Sequence, residues 1–368
     1  MKFDTDKRVV MTLDAGGTNF VFSAMQANKE IVQEIILPAK AENLTAILKI
    51  IIKGFEQVKT ILKNKVDAIS FCFPGPADYQ NGIIGDLANL PLFKGGVALK
   101  NMLQGIFSIP VFINNDGDLF AYGESIAGVL PKINDLIKQK DGIKKYSNLF
   151  GVTFGTGYGG GIVSNGNIFF GDNSASGEIN RLRNKLYPEC SVEESISIRG
   201  VQRVFARETG IDISNCPSPK EIFQIGMGEI EGSKIAATKA FEELAIVAGD
   251  SLANSISLLD GIIVIGGGLA GAYPLFLQKL VDEMNANFKT LSGEALSRME
   301  ITAFNLEDKD GLKQFLENTS IKIKVPFSDK KVDYDPIKRI GVCVSNLDTS
   351  TAVSIGAYAF ALNELDKQ

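Results

Sequence analysis

The stretch that decides the fold is VVMTLDAGGTNFVFSAM, residues 9–25. Val9–Leu13 is a compact apolar run, Asp14 to Asn19 form a glycine-rich turn, and Phe20–Met25 continues as β-rich sequence. The predicted order is therefore strand, glycine turn, strand. A Rossmann fingerprint or a Walker loop needs a helix after its glycines, and the Walker loop also needs Lys-Ser/Thr, so the stretch favours neither.

The rest of the first half alternates strands with helices. Leu44–Leu62 has the apolar spacing of an amphipathic helix, and Val66–Phe73 is typical of a buried strand that ends at Pro74-Gly75-Pro76. Val111–Ile113 predicts a short strand that leads into Asn114-Asn115-Asp116 and then a helix. This alternation indicates an α/β sheet whose ligands gather at the strand ends.

The second half repeats the pattern. Leu149–Phe154 predicts a strand, residues 155–161 (GTGYGGG) predict a glycine turn, and Ile162–Val163 predicts the start of the return strand. A hairpin turn is expected at Asn165-Gly166-Asn167. Two units of strand, glycine turn and strand suggest two related domains that face each other across a cleft.

A third glycine turn and a change of composition complete the predicted organisation. Phe241–Leu259 is expected to form a buried helix before the strand Gly261–Ile265 and the turn Gly266-Gly267-Gly268. The predicted N-terminal α/β domain is 1–126, completed by a C-terminal helix over 352–368. The larger C-terminal domain is 127–351, with an extended polar segment near 305–335.

Composition excludes several classes of function. The 368 residues carry 38 Lys and Arg against 43 Asp and Glu, a balance that argues against a nucleic-acid partner. The chain has no histidine, which excludes catalytic triads and metal sites that need imidazole. Its four cysteines form no CxxC pair, and no signal peptide or membrane-spanning run is present. The sequence therefore predicts a cytoplasmic protein with reduced thiols and no membrane partner.

The glycine turns are candidate phosphate-binding loops. Glycine removes the side chain, so backbone N–H groups can approach phosphate oxygens, and Thr18, Asn19 and Thr156 add further donors. The alternative is that the glycines only make tight hairpins. Three such turns, two of them with threonine, favour phosphate binding.

Two carboxylates follow predicted strands. Asp14 can hold Mg²⁺, usually through water, where the metal meets nucleotide phosphates; the alternative is an Asx residue that caps the turn. Asp116 is the candidate general base for a hydroxyl group that is to be phosphorylated, and an N-cap on the following helix is compatible with that role. Asn115 beside it offers a donor and an acceptor to a vicinal diol.

The motifs in this order resemble the ROK (repressor, open reading frame, kinase) family of bacterial sugar kinases and regulators. The resemblance runs from about residue 9 to the final helix at Gly356-Ala357 and also includes Gly177-Glu178. It implies the hexokinase and actin-like ATPase fold, with two ribonuclease H-like domains. It also implies a glucokinase-like enzyme that phosphorylates a hydroxyl of a hexose or N-acetylhexosamine by in-line transfer from ATP, with Mg²⁺.

The resemblance implies a role for each candidate residue. Asp116 would accept the proton, and the sugar would contact Gly75, Asn115, Glu178, Asn180 and Glu193 (or Glu194). The nucleotide would contact Asp14, Gly16, Gly17, Thr18, Asn19, Gly155, Thr156, Gly157, Gly266, Gly267 and Gly268. A homodimer is also expected.

The chain departs from the family pattern between Glu178 and Glu193. Family members usually carry a zinc site of one histidine and three cysteines there, whereas residues 177–194 read GEINRLRNKLYPECSVEE, with Asn180 near the histidine position and Cys190 as the lone cysteine. A tetrahedral zinc site needs four ligands, so no zinc site is expected. Packing of Ile179, Leu182, Leu186, Tyr187 and Val192 is expected to order this segment instead.

The lost zinc ligands suggest one alternative function, a non-catalytic sugar-sensing or regulatory protein. The family's repressors carry an N-terminal winged helix, whereas about eight residues precede the first predicted strand here, and the acidic balance also argues against DNA binding. An actin-like ATPase acting on a protein partner is a third possibility, which no interaction segment supports.

Overall fold

The structure is a computed structural model that describes residues 2–16, 18–75, 77–85 and 91–367. Gly17 of the first predicted turn and Pro76 of the Pro-Gly-Pro motif lie outside the described residues. Among the described residues, no helix combines the length and the apolar character needed to cross a membrane.

Within this part of the chain, the strands are numbered in chain order. They are β1 (Val10–Ala15), β2 (Asn19–Gln26), β3 (Lys29–Glu30), β4 (Ile35–Pro38), β5 (Ala68–Cys72), β6 (Ile83–Ile84), β7 (Val97–Ala98), β8 (Val111–Asn114), β9 (Leu149–Phe154), β10 (Tyr158–Ser164), β11 (Asn167–Ile168), β12 (Ile262–Gly266), β13 (Asn287–Lys289), β14 (Ala295–Ser297), β15 (Thr302–Asn305), β16 (Ile321–Lys324), β17 (Lys331–Tyr334) and β18 (Arg339–Val344).

The helices are numbered in the same way. They are α1 (Leu44–Ile61), α2 (Leu99–Phe107), α3 (Asp116–Ile126), α4 (Val129–Gln139), α5 (Ile198–Thr209), α6 (Pro219–Met227), α7 (Lys234–Leu259), α8 (Tyr273–Met284), α9 (Lys309–Phe315) and α10 (Thr349–Leu365). Short 3₁₀ turns lie at Pro91–Phe93, Ile179–Arg181, Val192–Glu194, Ile213–Asn215 and Ala270–Ala272.

The chain divides into two compact units. The first unit comprises Met1–Pro131, Gly161–Gly177 and Leu347–Gln368, and the second comprises Lys132–Gly160 and Glu178–Asn346. This division differs from the predicted one, which placed the whole of 127–351 in one domain. The fold is α/β, as the sequence predicts.

The first unit is built on a mixed sheet in the order β3-β2-β1-β5-β8, with β4 paired to β2. Strands β1, β5 and β8 are parallel, and Asp14, Cys72 and Asn114 occupy the same row across them. The carboxyl ends of these three strands therefore lie side by side. Helix α1 covers one face of the sheet through buried residues such as Ile51 and Phe55.

Helix α10 completes the first unit on the other face of that sheet. Its Tyr358 side chain is buried with Val10, the first residue of β1. The Tyr358 hydroxyl donates to the backbone carbonyl of Arg8 (3.3 Å). Glycines let α10 approach α3 closely, because a Cβ at Gly356 would lie 2.0 Å from the backbone oxygen of Leu119. Residues from both ends of the chain thus form one core.

The second unit contains parallel strands in the order β9-β12-β18-β15. Gly266 at the end of β12 lies beside Thr153 of β9, so the glycine turns that follow the two strands emerge at the same sheet edge. Helix α7 is buried along much of its length. The predicted helix Phe241–Leu259 is present but begins two turns earlier, at Lys234, and the predicted strands Leu149–Phe154 and Gly261–Ile265 are present to within one residue.

The second predicted glycine turn is shorter than expected. It was predicted over residues 155–161, but β10 already begins at Tyr158, whose side chain is 1% exposed. The hairpin turn at Asn165 and Gly166 is confirmed, and both residues have a positive φ, as a two-residue turn of this hairpin type requires.

Candidate active site

Asp14 and Asp116 are held at neighbouring strand ends of the first unit. Asp14 is the next-to-last residue of β1, and Asp116 begins α3 directly after β8. The surrounding protein withholds water from the Asp14 carboxyl and raises its pKa, and the negative charge of Asp116 raises it further. Burial likewise raises the pKa of Asp116, although the N–H of Gly117 partly opposes this. Each residue as a whole is exposed, but the protein around its carboxyl group removes part of the water that would stabilise the charge.

Asn115 is the N-cap of α3. Its Oδ1 accepts a hydrogen bond from the N–H of Gly117 (2.8 Å), and the Asp116 Oδ1 accepts from the same N–H (2.8 Å). The sequence allows Asp116 as the N-cap of this helix, whereas in the structure the N-cap is one residue earlier, at Asn115. Because Asn115 caps the helix, the Asp116 carboxylate sits in the first turn, where the helix dipole stabilises negative charge.

Tyr79, which sequence reasoning missed, connects Gly75 with Asn115. The Tyr79 hydroxyl donates to the backbone carbonyl of Phe73 (2.9 Å) and accepts a longer hydrogen bond from Asn115 Nδ2 (3.4 Å). A Cβ at Gly75 would lie 2.0 Å from this hydroxyl. Gly75 is therefore glycine because the tyrosine occupies the space of a side chain.

The first glycine turn joins β1 to β2. Gly16, Thr18 and Asn19 are all exposed, so their polar groups are open to solvent. A Cβ at Gly16 would lie 2.9 Å from the carbonyl oxygen of Asn19, which shows how tightly the backbone folds there. The turn is therefore as tight as a hairpin requires, and it also exposes the donors that phosphate binding would require.

The second and third glycine turns lie together at one sheet edge of the second unit. Gly155 donates its N–H to the carbonyl of Gly157 (3.0 Å), which closes the second turn, and Thr156 is exposed at its apex. Gly267 has φ +86°, and a Cβ there would lie 2.4 Å from the carbonyl oxygen of Phe154. Gly268 is exposed with open space around its Cα, and Gly266 is buried in β12.

Glu193 reaches the second glycine turn from the segment that carries the predicted sugar ligands. Its Oε2 accepts the N–H of Tyr158 (3.1 Å), and its Oε1 accepts from Arg199 (3.1 Å). Glu194, the alternative residue, turns instead to Arg199 (3.0 Å) and Arg203 (3.2 Å). The structure therefore places Glu193, and not Glu194, at the turn.

Glu178 and Asn180 lie at the start of the same segment. Glu178 precedes the 3₁₀ turn Ile179–Arg181 and is partly buried. The Oδ1 atom of Asn180 is buried and has no hydrogen-bond partner within the described residues. A buried acceptor without a donor is costly, and a hydroxyl group of a ligand would satisfy it.

A buried asparagine organises this segment. Asn184 is 0% exposed, and its Oδ1 accepts the N–H groups of Leu186 (3.0 Å) and Tyr187 (3.1 Å). Its Nδ2 donates to the Ser195 hydroxyl (2.9 Å) and to the carbonyl of Ser191 (3.3 Å). Asn184 thus ties both ends of the loop to one side chain, a feature for which the sequence offered no signal.

Apolar packing orders the segment in part, as the sequence predicts. Ile179 and Val192 are buried, and Leu182 and Tyr187 are partly buried. Leu186 is 40% exposed, so its predicted packing is wrong. The Tyr187 hydroxyl instead joins a polar network, because it donates to Glu243 (3.2 Å) and accepts from Arg207 (2.9 Å).

The carboxylate pair Asp14 and Asp116 fits Mg²⁺, whereas the segment 177–194 lacks the ligands for zinc. The carboxylates of Asp14 and Asp116 lie close enough for the charge of one to raise the pKa of the other, and such an arrangement suits a hard cation like Mg²⁺. In the segment 177–194, Cys190 is exposed, and the described residues form no group of three or more His, Cys, Asp or Glu side chains that could hold a metal. That segment does not fit zinc.

Comparison with known proteins shows which proteins this chain is similar to. A glucokinase of known structure from Parabacteroides distasonis is 50% identical, with 99% of each chain covered and a TM-score of 0.91. A glucokinase from Halalkalibacterium halodurans is 26% identical over 74% of this chain and 84% of its own length. An N-acetyl-D-glucosamine kinase from Yersinia enterocolitica is 25% identical over 70% of this chain and 83% of its own length.

The fold is that of the actin-like ATPases, which solved ROK structures share. The model of the ROK family matches residues 10–313, which include both carboxylates, all three glycine turns and the segment 177–194. The chain therefore belongs to the ROK family.

Proposed function

We propose that this protein is an ATP-dependent sugar kinase that phosphorylates a hydroxyl group of a hexose or an N-acetylhexosamine. The observation that carries the proposal is the pair of carboxylates, Asp14 and Asp116, whose strands are in register and whose pKa values are both raised. A raised pKa makes Asp116 a better proton acceptor, because efficient general bases have pKa values nearer to the working pH.

Different residues of the chain would accept the proton and hydrogen-bond the sugar. Asp116 would accept the proton from the hydroxyl that attacks the γ-phosphate. Asn115 would donate to a neighbouring hydroxyl through Nδ2, since its Oδ1 is already used to cap α3. Glu178 and the unpartnered Oδ1 of Asn180 would accept from other hydroxyls, and the backbone at Gly75 would contact the ring. Such fixed contacts orient the sugar for in-line transfer.

The glycine turns would hold ATP. Gly16, Thr18, Asn19 and Thr156 are exposed and carry the donors that phosphate oxygens need, and we assign the same role to Gly17, Gly155 and Gly157. Gly266, Gly267 and Gly268 would meet the adenosine side. Asp14 would hold Mg²⁺, through water, and the cation would offset the negative charge of the phosphates.

Several further properties belong to the same proposal. We infer that the enzyme acts without zinc, because Asn184 and buried apolar residues order the segment where zinc ligands would otherwise lie. We also infer a homodimer in the cytoplasm that binds neither nucleic acid nor membranes. The four free cysteines support a reducing compartment such as the cytoplasm, and the net charge of −5 argues against a nucleic-acid partner, whereas the homodimer is inferred from the family resemblance alone.

A coupled assay for ADP release tests the proposal. The panel would contain glucose, mannose, N-acetylglucosamine and N-acetylmannosamine with ATP and Mg²⁺, and at least one sugar should raise ADP release well above the sugar-free rate. Calorimetric binding of a sugar with no ADP release for any member of the panel would instead support a non-catalytic sugar sensor.

A further inference from the structure

A cavity of about 300 Å³ lies inside the first unit, beside β8, which is the last strand in the order of its sheet. This volume is at the lower end of the range for pockets that bind small molecules. Asp14, Asn115 and Asp116 are not among the described residues that line it, so it is distinct from the candidate transfer site. The cavity, here called the edge cavity, is lined among others by Lys100, Phe112, Asn114, Phe170, Phe360 and Glu364.

Three phenylalanine rings form the apolar part of the wall. Phe360 of α10 makes edge-to-face contacts with Phe112 of β8 (5.9 Å between ring centroids) and with Phe170 after β11 (5.8 Å). Each of the three is only partly buried, whereas Phe71 in the neighbouring strand β5 is fully buried. Ring surface that stays open can bind the C–H groups of a ligand, because the face of the ring carries a partial negative charge.

A lysine and a glutamate bring fixed charges of opposite sign to the edge cavity. The backbone N–H of Lys100 donates to the carbonyl of Gly82 (3.2 Å), and its Nζ donates to the carbonyl of Gln80 (3.0 Å), so both ends of the residue are held. Glu364, in the last turn of α10, pairs through Oε1 with Lys367 (2.6 Å). An ammonium group has three donors and a carboxylate has two acceptor oxygens, so each side chain keeps capacity for a ligand. Because the two charges cancel, the edge cavity favours a ligand without net charge.

Asn114 adds an unused donor to the same wall. The residue is 1% exposed, and its Nδ2 has no hydrogen-bond acceptor among the described residues. A rotation of the amide about the Cβ–Cγ bond can present this donor to the edge cavity. A buried donor without an acceptor is costly, and an acceptor on a ligand would remove that cost.

A ligand with several hydroxyl groups fits this wall, because each hydroxyl can accept from Lys100 or Asn114 and donate to Glu364. The C–H face of a pyranose ring would lie against the phenylalanine rings. We propose that the edge cavity is an accessory binding site for an uncharged pyranose sugar. Tyr79 lines the cavity and its hydroxyl accepts from Asn115 Nδ2 (3.4 Å), so this side chain stands between the accessory site and the candidate transfer site.

Equilibrium dialysis with each sugar of the panel above, in radiolabelled form, would count the molecules bound per chain. The wild type should bind a second molecule of at least one sugar. The double variant Phe170→Ala/Glu364→Gln should keep the first molecule and bind the second about tenfold more weakly or worse, because one ring and one charged acceptor are lost. The control Lys367→Ser removes the partner of Glu364 from a residue that is not among the described residues lining the cavity, and it should bind both molecules.

The inference rests on the proposed function only for the choice of sugars, and the two can fail separately. A wild type that releases ADP but binds one sugar molecule per chain would overturn the accessory site and leave the kinase standing. Two bound molecules without ADP release would support the accessory site and contradict the kinase. A second molecule that binds the double variant as tightly as the wild type would place the second sugar elsewhere and overturn the inference.

Two further arms complete the experiment. A second site that takes a sugar 6-phosphate but no free sugar would overturn the choice of an uncharged ligand. Circular dichroism would check the fold of each variant. Should the double variant fail to fold, Glu364→Gln alone serves as the test, because it keeps the packing of the three rings, and unweakened binding of the second molecule would then count against the inference.

Discussion

The Glu193 carboxylate accepts a hydrogen bond from the backbone N–H of Tyr158 over 3.1 Å. A Cβ at Gly157 would lie 2.6 Å from the same carboxylate, so the glycine and the glutamate fit each other. This contact joins the segment with the candidate sugar ligands to a candidate phosphate turn. One side chain can therefore influence both substrates.

We expect Glu193→Ala to raise the KM of the sugar and the KM of ATP together. Alanine removes the acceptor for the Tyr158 N–H and the partner of Arg199. Glu193→Gln should be milder, because its amide oxygen can still accept from Tyr158. Initial-rate kinetics with each substrate varied would measure this, with exposed Glu189→Ala of the same segment as the control. A change in the sugar KM alone would contradict the coupling.

Asp116→Asn should lower kcat by on the order of 10²-fold or more and leave the affinity for the sugar nearly unchanged, because the proton acceptor is lost. Asp348→Asn is the matched control, since Asp348 caps α10 in the same unit and asparagine caps helices equally well. Steady-state kinetics and sugar-binding calorimetry would separate the two effects. Undiminished turnover in Asp116→Asn would rule out Asp116 as the base.

The same substitution should stabilise the folded protein at neutral pH. Burial raises the pKa of Asp116 in the folded state, so folding disfavours its charged form. The stability that this carboxyl contributes is present below its ordinary pKa and is lost as pH rises through the raised pKa. Asp116→Asn should therefore raise the melting temperature at pH 7, and the gain should vanish at pH values below that ordinary pKa. Calorimetric melts over this pH range would show it, and a loss at pH 7 would contradict it.

Asn184→Ala should destabilise the second unit and raise the KM of the sugar. The substitution leaves the N–H groups of Leu186 and Tyr187 without their acceptor, and we expect the free energy of unfolding to fall by about 2–4 kcal/mol. Exposed Asn215→Ala provides the control. Calorimetry and kinetics would test both effects, and an Asn184→Ala protein with an unchanged melting curve would show that the loop is ordered by other contacts.

The purified enzyme should contain no stoichiometric zinc. Chelator treatment followed by added Mg²⁺ should restore full sugar-kinase activity, because the segment 177–194 depends on Asn184 and buried apolar side chains for its order. Elemental analysis and the coupled assay would measure both. One equivalent of tightly bound zinc, with activity lost when it is removed, would contradict this account of the segment.

The sequence predicted the strands well where apolar runs end in glycine or proline, and it failed where glycine serves packing. Residues 159–161 were assigned to a turn because three glycines stand together, yet they continue β10. A Cβ at Gly161 would lie 2.1 Å from the carbonyl oxygen of Gly117, so the strand needs glycine where α3 begins. The residues around Gly161 give no sign in the sequence that its backbone packs against that of Gly117.

The positions of some candidate site residues could be predicted from the sequence, and those of others could not. Asp14, Asn115 and Asp116 lie at neighbouring strand ends, as expected from polar residues that follow apolar strands, and their roles stay predictions. Tyr79 and Asn184 were missed, since their roles rest on contacts with residues distant in space that no periodicity reports. The placement of Gly161–Gly177 in the first unit was missed for the same reason.

The packing of α10 against β1 has a consequence for synthesis on the ribosome. The core of the first unit buries Val10 together with Tyr358 and Leu362, so that unit cannot close until the chain has been made through α10. Helix α10 also covers β5, whose Ala68 lies in the same cluster. One face of the first unit's sheet therefore stays exposed while the second unit is translated. A chaperone that binds apolar strands would act during that interval.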